Sequence, residues 1–329
     1  MTSATANVTT GSRWSRSSSE LPPPTVASNS DAPSEMSTTA GSSAIPPLTP
    51  RLQLIRAALV IVCILAITML LQLFVLGSLQ QSSSQERSFD RFRGQLANGV
   101  APIGPTDNQN RVLSPGAPVA YIEIPEIGLR QVVGEGTTSS VLFSGPGHRR
   151  DTPLPGQAGT SVIMARKAAF GGPFSSIGEL QAGDDIVVTT GQGVYTFDVI
   201  GVRREGDPVP PPPEAGSARV LLATADGRPF MPEGILRVDA EIAGAATVGP
   251  ARLVTANSLP RSEQMMAADT STLWVLVLWL QALIALSLGA VWAWHRWGHA
   301  QAWIVFLPPL LLVGLATSGE VARLLPNLL

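Results

Sequence analysis

The chain contains one cysteine, Cys63, and three histidines, His148, His295 and His299. A thiolate and an imidazole within hydrogen-bond reach form a nucleophile and its proton carrier, the pair used in covalent acyl transfer. Neither type stands where that chemistry needs it. Cys63 lies inside Leu52–Gly77, an apolar run long enough to cross a hydrocarbon core of roughly 30 Å. His295 and His299 flank a short turn between two later apolar runs, which leaves His148 as the one histidine in the polar centre of the chain. Thr224 offers a hydroxyl and Asp226 a carboxylate, both at the end of an apolar β-like run. A single cysteine excludes an intrachain disulfide framework, and no Cys/His cluster has metal-ligand spacing, so neither metal nor cofactor is expected.

These residues need elements to position them, and the composition divides the 329 residues sharply. Residues 1–50 are rich in Ser, Thr, Pro and Ala, a composition that buries too little apolar surface to offset ordering and predicts a disordered tail. Residues 51–77 form the first predicted span, followed by a polar stalk over 78–116 in which Phe89–Arg93 hints at a short helix. From 117 to 243 the texture changes to short β-like runs separated by Gly, Pro and Asp. These include Val119–Ile124, Thr160–Met164, Asp185–Thr189, Val194–Ile200, Arg219–Ala223 and Ile235–Ile242, with a short apolar helical pattern at Phe174–Leu180. Many short strands at regular spacing predict a closed barrel or a sandwich. Residues 244–271 read as a linker, 272–294 and 302–323 as two further spans joined by a turn at 295–301, and 324–329 as a tail.

Charge and aromatic placement orient these pieces. Arg13, Arg16, Arg51 and Arg56 precede the first span and Arg296 lies in the turn between the last two, which puts the N-terminus and that turn in the cytoplasm and the central domain outside. A cleaved signal peptide is the competing reading of the first run. Trp274, Trp292, Trp294, Trp297 and Trp303 cluster at the span ends as an interfacial belt. Glu320, near the outer end of the third span, reads as a solvated interfacial carboxylate, and Pro308 and Pro309 lie in the same span. The formal net charge of −2 gives no electrostatic case for nucleic acid.

Within 117–243 the motifs Ile124-Pro-Glu-Ile-Gly128, Gly145-Pro-Gly-His-Arg-Arg-Asp-Thr-Pro-Leu-Pro-Gly156, Ala165-Arg-Lys-Ala-Ala-Phe-Gly-Gly-Pro-Phe174, Glu179–Asp184 and Val220–Ala225 occur in one order. In that order the segment resembles a bacterial sortase, in the actinobacterial, class E-like form. The resemblance implies a mainly β fold, a sortase-like closed β-barrel with short helices, here accompanied by three transmembrane α-helices. It also implies a Gram-positive type of envelope. Sortases attack the backbone carbonyl of a sorting signal with a cysteine thiolate, assisted by a histidine and by an arginine that stabilises the oxyanion. Carried over residue by residue, the histidine falls on Arg166 and the cysteine on Ala225. A guanidinium does not exchange protons in the useful pH range, and a methyl group is no nucleophile. The arginine position falls on Ile235 or, with a two-residue shift along the same strand face, on Arg237 as a candidate retained groove residue. His148 belongs to a structural turn in this pattern, and Asp226 to a turn after the strand.

The resemblance therefore points to a membrane-anchored pseudosortase that binds or regulates a cell-surface protein, an extended sorting-signal peptide or a membrane partner such as an active sortase or pilus component. Arg166, Thr224 and Arg237 are the peptide-binding candidates, although strand alternation turns Thr224 away from the face that residue 225 lines. An enzyme of altered mechanism and a structural membrane subunit with the barrel as spacer are the alternatives. Leu259-Pro-Arg-Ser-Glu263 has the outline of a sorting signal but reads as linker, and Val209–Pro213 reads equally as a docking ridge or as a rigid spacer.

Overall fold

The computed structural model describes residues 50–268, 270, 273–297 and 299–329; residues 1–49 of the predicted N-terminal tail, 269 and 271 of the predicted linker, 272 of the second predicted span and 298 of the predicted turn lie outside them. Eight strands close into a barrel: β1 (Pro118–Ile124), β2 (Leu129–Glu135), β3 (Gly147–His148), β4 (Gly159–Met164), β5 (Asp185–Thr190), β6 (Gly193–Arg203), β7 (Ala218–Arg228) and β8 (Met231–Ile242). Their order around the barrel is β1-β2-β3-β4-β7-β8-β6-β5. The pairs β2/β3 and β4/β7 are parallel and the others antiparallel. Alternate residues of the strands point inward, so Ile122, Ile163, Ile186, Phe197, Leu222 and Val238 fill the interior without measurable exposure.

β7 departs from simple alternation. Every residue from Ala218 to Ala225 is buried, because β7 is covered on both faces. Val220 and Leu222 face the barrel interior, whereas Leu221, Ala223 and Ala225 join a second apolar layer outside it with Val162 and Met164 of β4. A strand dry on both sides is encoded as a continuous apolar run rather than an alternating one. β7 also extends to Arg228 with a register shift at Asp226/Gly227, so Asp226 lies in a strand and pairs with Arg204 at 3.3 Å instead of sitting in a turn.

Where a stalk was expected, the chain forms a helix. α1 (Pro50–Leu71) continues through a π-helical turn at Gln72–Leu76 into α2 (Gly77–Ala97). Gln81, Gln85, Phe89 and Phe92 recur at helical spacing and lie against the barrel. Gln85 exchanges hydrogen bonds with the Val132 backbone, donating at 3.1 Å and accepting at 2.7 Å, and also donates to the Ser144 carbonyl at 2.7 Å. Gln81 donates to Gln131 at 2.8 Å, the Phe89 ring meets Tyr121 at 5.2 Å, and Phe92 is buried. The helix predicted at Phe174–Leu180 is reduced to a single 3₁₀ turn, Ile177–Glu179.

A single turn, α3 (Ser139–Leu142), lies between β2 and β3, and α4 (Leu273–Trp297) and α5 (His299–Arg323) follow the barrel. Among the described residues two helices, Leu273–Trp294 and Gln301–Arg323, are long and apolar enough to cross a membrane. The expectation of three is corrected to that extent. In the first helix the apolar stretch found among the described residues is Val62–Leu71, shorter than the ~20 residues a span requires, within an uncharged run over 57–71 of the sequence. α1 nevertheless packs with the other two. Leu65 joins Leu283, Leu310 and Val313 in one cluster, and Thr68 of α1 faces Gly314 of α5, where a small residue permits close helix approach.

A buried ion pair joins the ends of β2 and β3. His148 Nδ1 lies 2.9 Å from Glu135 and Nε2 2.9 Å from the Pro153 carbonyl, so both ring nitrogens face acceptors and both must donate. Burial by itself disfavours the imidazolium, but the Glu135 carboxylate, its hydrogen bond, the Pro153 carbonyl and Asp151 together raise the pKa above the ordinary histidine value. His148 thus holds the ends of β2 and β3 together through Glu135. Nearby, burial raises the Glu263 carboxyl against the opposing pull of Arg150, 3.6 Å away.

Two predictions follow from these contacts. Truncating Phe92→Ala is expected to destabilise the barrel by about 3–5 kcal/mol, read as a lower melting temperature of the full chain in detergent; an unchanged melt would mean that α2 does not pack on the barrel. A raised folded-state histidine pKa gives stability that is complete below about pH 6.5 and lost as pH rises through the folded value. The raised Glu263 pKa acts in the same direction. The melting temperature should therefore fall as pH rises above about 6.5, and less steeply in His148→Gln; an equal slope in that variant would contradict the pairing.

Candidate functional site

The outer face of β4, β7 and β8 is the floor of the groove that the resemblance assigns to this side of the barrel. Val162, Met164, Leu221, Ala223 and Ala225 supply buried apolar surface, with partly buried Ile235 packed against them. Register sets the placement: Ala225 lies opposite Ile235 on β8, and Ala223 lies opposite Arg237. Both candidates for the arginine position therefore share the groove face with Ala225. Ile235 is its direct cross-strand neighbour, and Arg237 stands one pleat further along. The Arg237 guanidinium is shifted below its usual value by burial and by the like charge of Arg203, its partner across the β6/β8 ladder.

Arg166 follows β4 and is fully buried. Its Nη2 donates to Ser139 Oγ at 2.7 Å and its Nη1 to the Leu329 carbonyl at 3.2 Å. The guanidinium carbon lies 4.7 Å from the Phe143 ring centroid and 5.5 Å from that of Phe170, within cation–π range of both. The two rings stack at 4.1 Å. No Asp or Glu side chain pairs with Arg166 among the described residues, and burial lowers its pKa to about 9. Phe170 is held at φ 53°, a left-handed conformation that costs about 1–2 kcal/mol for a bulky residue. Gly172 permits the turn that follows: at φ +50° a Cβ there would lie 2.4 Å from the Lys167 carbonyl. The Gly-Gly-Pro-Phe stretch thus closes the loop that presents Phe170 to Arg166.

The remaining candidates are placed as follows. Thr224 is buried and donates to the Ala165 carbonyl at 3.0 Å. As a peptide-binding candidate it is corrected, because its hydroxyl is committed to the backbone and its side chain lies on the face opposite Ala225. His148 is locked into the ion pair described above. Cys63 is exposed on α1. The described part of the groove therefore holds hydrogen-bond donors and apolar surface around residue 225, without a thiol or an imidazole at positions 225 and 166.

What sequence reasoning missed is the cover of this groove. The segment 324–329, read as a tail, folds back onto it. Leu328 and Leu329 are 0 % and 5 % exposed and join the floor cluster, as does Met265 of the linker. Burying the two leucines contributes about 1.5–3 kcal/mol each. The Lys167 N–H donates to the Leu328 carbonyl at 3.0 Å, and Ser139 Oγ donates to the Arg323 carbonyl at 3.2 Å. Asn327 is fully buried, its amide donating to the carbonyls of Ser262 and Gln264 at 2.7 and 2.9 Å. The apolar Leu-Leu pair following Pro-Asn was the available signal.

The family model of the sortase domain matches residues 122–226. No curated protein matches the chain in sequence. Among solved structures, a sortase D5 transpeptidase from Clostridium perfringens is similar at 21 % identity and TM-score 0.41, over 49 % of this chain and 99 % of its own. Sortase C-1 from Actinomyces oris is similar at 26 % identity and TM-score 0.34, over 39 % of this chain and 75 % of its own. A sortase E1 from Streptomyces coelicolor, with a tripeptide in its active site, is similar at 19 % identity and TM-score 0.35, over 41 % of this chain and 93 % of its own. The order of motifs and the family match converge on one segment: residues 122–226, which lie within the closed barrel, match the sortase domain.

Proposed function

We propose that this is a membrane-anchored, non-catalytic sortase-family protein that binds or regulates a cell-surface protein, a sorting-signal peptide or a surface-assembly partner. One observation carries the reading. Where the resemblance requires a sulfur nucleophile and a proton-exchanging imidazole, the groove holds the methyl of Ala225 and the buried guanidinium of Arg166. The lowered pKa of Arg166, about 9, still leaves it protonated at neutral pH, engaged as a donor to Ser139 and Leu329. A hydrogen-bonding cation beside an apolar floor suits holding a peptide carbonyl rather than cleaving the bond next to it.

Membrane anchoring is supported by the two apolar helices α4 and α5 and by the packing of α1 against them. In this reading the three helices form one bundle, with residues 117–243 and 324–329 on the outer side. Trp274, Trp292, Trp297 and Trp303 are exposed near the ends of α4 and the start of α5, as interfacial residues are.

Peptide turnover tests the proposal. The full chain in lipid nanodiscs, incubated with a library of extended peptides and an amine acceptor, is expected to give cleavage no more than about twofold above a protein-free blank, the floor set by the absence of a nucleophile. Cleavage at one defined bond, abolished by substituting Arg237, would show an active enzyme of altered mechanism and contradict the assignment.

A further inference from the structure

We infer that the groove of the sortase domain is a binding site whose resident ligand is the chain's own segment Leu324–Leu329, delivered by α5 and clamped by the linker before α4. The inference goes beyond the function proposed above and does not depend on loss of catalysis, since a plugged groove and a dead one are separate properties.

The contacts have the character of a recognised ligand. Pro326 and Leu329 close a turn, with the Leu329 N–H donating to the Pro326 carbonyl at 3.0 Å. Every N–H that Asn327 offers is taken: its backbone N–H by the Ala267 carbonyl at 3.0 Å, and its side-chain amide by Ser262 and Gln264. The linker carbonyls that receive them belong to a segment that is itself tied to the barrel. Thr137 Oγ1 donates to the Glu263 carbonyl at 2.7 Å, and the Glu263 carboxylate faces Arg150. The linker therefore forms a strap across the segment, the barrel supplies the floor, and Lys167 and Arg166 donate to the main-chain oxygens of Leu328 and Leu329.

The occupant is tethered. Three residues separate the end of α5 at Arg323 from Asn327, and a chain this short reaches only about 3.5 Å per residue. Leu324 and Leu325 take up part of that reach by donating back to the carbonyls of Val321 and Ala322. Occupancy of the groove is thus tied to the position of α5. A tethered ligand also competes at an effective concentration on the order of millimolar. The intact chain should therefore ignore free peptides at micromolar levels, and a shift of α5 that withdraws Asn327 would expose the floor at Ala223 and Ala225. The ligand chemistry the site accepts is that of the resident segment: a turned Pro-Asn pair followed by two apolar side chains.

Thiol accessibility tests this in the full chain in nanodiscs, with Cys63→Ser to remove the native thiol and Ala225→Cys as reporter. A small methanethiosulfonate reagent is expected to label the reporter at least tenfold more slowly in this protein than after adding Leu328→Asp, with Asn327→Ala in between. The synthetic hexapeptide Leu-Leu-Pro-Asn-Leu-Leu, at about 1 mM, should slow labelling of the Leu328→Asp variant severalfold while leaving the intact chain unchanged. That rescue separates an opened groove from an unfolded barrel. Equal labelling with and without Leu328→Asp overturns the inference, as does a hexapeptide that fails to protect either tail variant. Neither result bears on whether the native groove can cleave peptides, which the turnover assay reads alone.

Discussion

The desolvated guanidinium of Arg166 is the constraint around which this part of the molecule is organised. Taking a cation out of water costs several kcal/mol unless its surroundings replace the lost hydration. Here no Asp or Glu side chain does so among the described residues; a serine hydroxyl, the main-chain oxygen of Leu329 and two aromatic faces share the task. Those partners come from four places in the chain: the short helix that begins at Ser139, Phe143 just after it, the loop carrying Phe170, and the segment ending at Leu329. Satisfying one charge thus draws a loop, a helix end and a distant segment onto the same side of the barrel. The left-handed backbone at Phe170 is sustained by the stacking that Arg166 and Phe143 provide.

The burial of β7 on both faces is the packing counterpart of that constraint. Its inner face belongs to the barrel core and its outer face to a second apolar layer roofed by Leu328, Leu329 and Met265. An open groove would leave this layer in water, an unfavourable exposure of contiguous apolar surface. The segment after α5 therefore completes the fold of the sortase domain as well as filling its site. The membrane-type helices and the barrel become one mechanical unit through it, reinforced where Met69 of α1 packs with Phe143, Phe170 and Ala322.

Much of this was legible in the sequence, for identifiable reasons. The strands around Val119, Thr160, Asp185, Val194, Arg219 and Ile235 carry β-branched residues between turn formers, and the motif order from Ile124 to Ala225 names the family. The two-residue strand at Gly147–His148 was too short to register as a strand. The helix at Gly77–Ala97 was obscured by its Gln- and Ser-rich composition, although Gln81, Gln85, Phe89 and Phe92 mark one face. The burial of Arg166 could not be read locally, since Ala165-Arg-Lys167 resembles a solvated basic step and its partners Ser139, Phe143 and Leu329 are remote in sequence. The fate of Thr224 followed from strand alternation, whereas the strap formed by Ser262–Ala267 depends on a tertiary contact that no spacing rule encodes.

Native-state hydrogen exchange on the full chain in nanodiscs tests the account most directly, because it reads the union of segment and groove without any substitution. The backbone amides of Lys167 and Asn327, which donate to the carbonyls of Leu328 and Ala267, are predicted to exchange as slowly as the amides of the barrel ladders. Exchange of both at the rate of an exposed loop amide, such as that of Gly206, would show the groove standing open and would contradict the account.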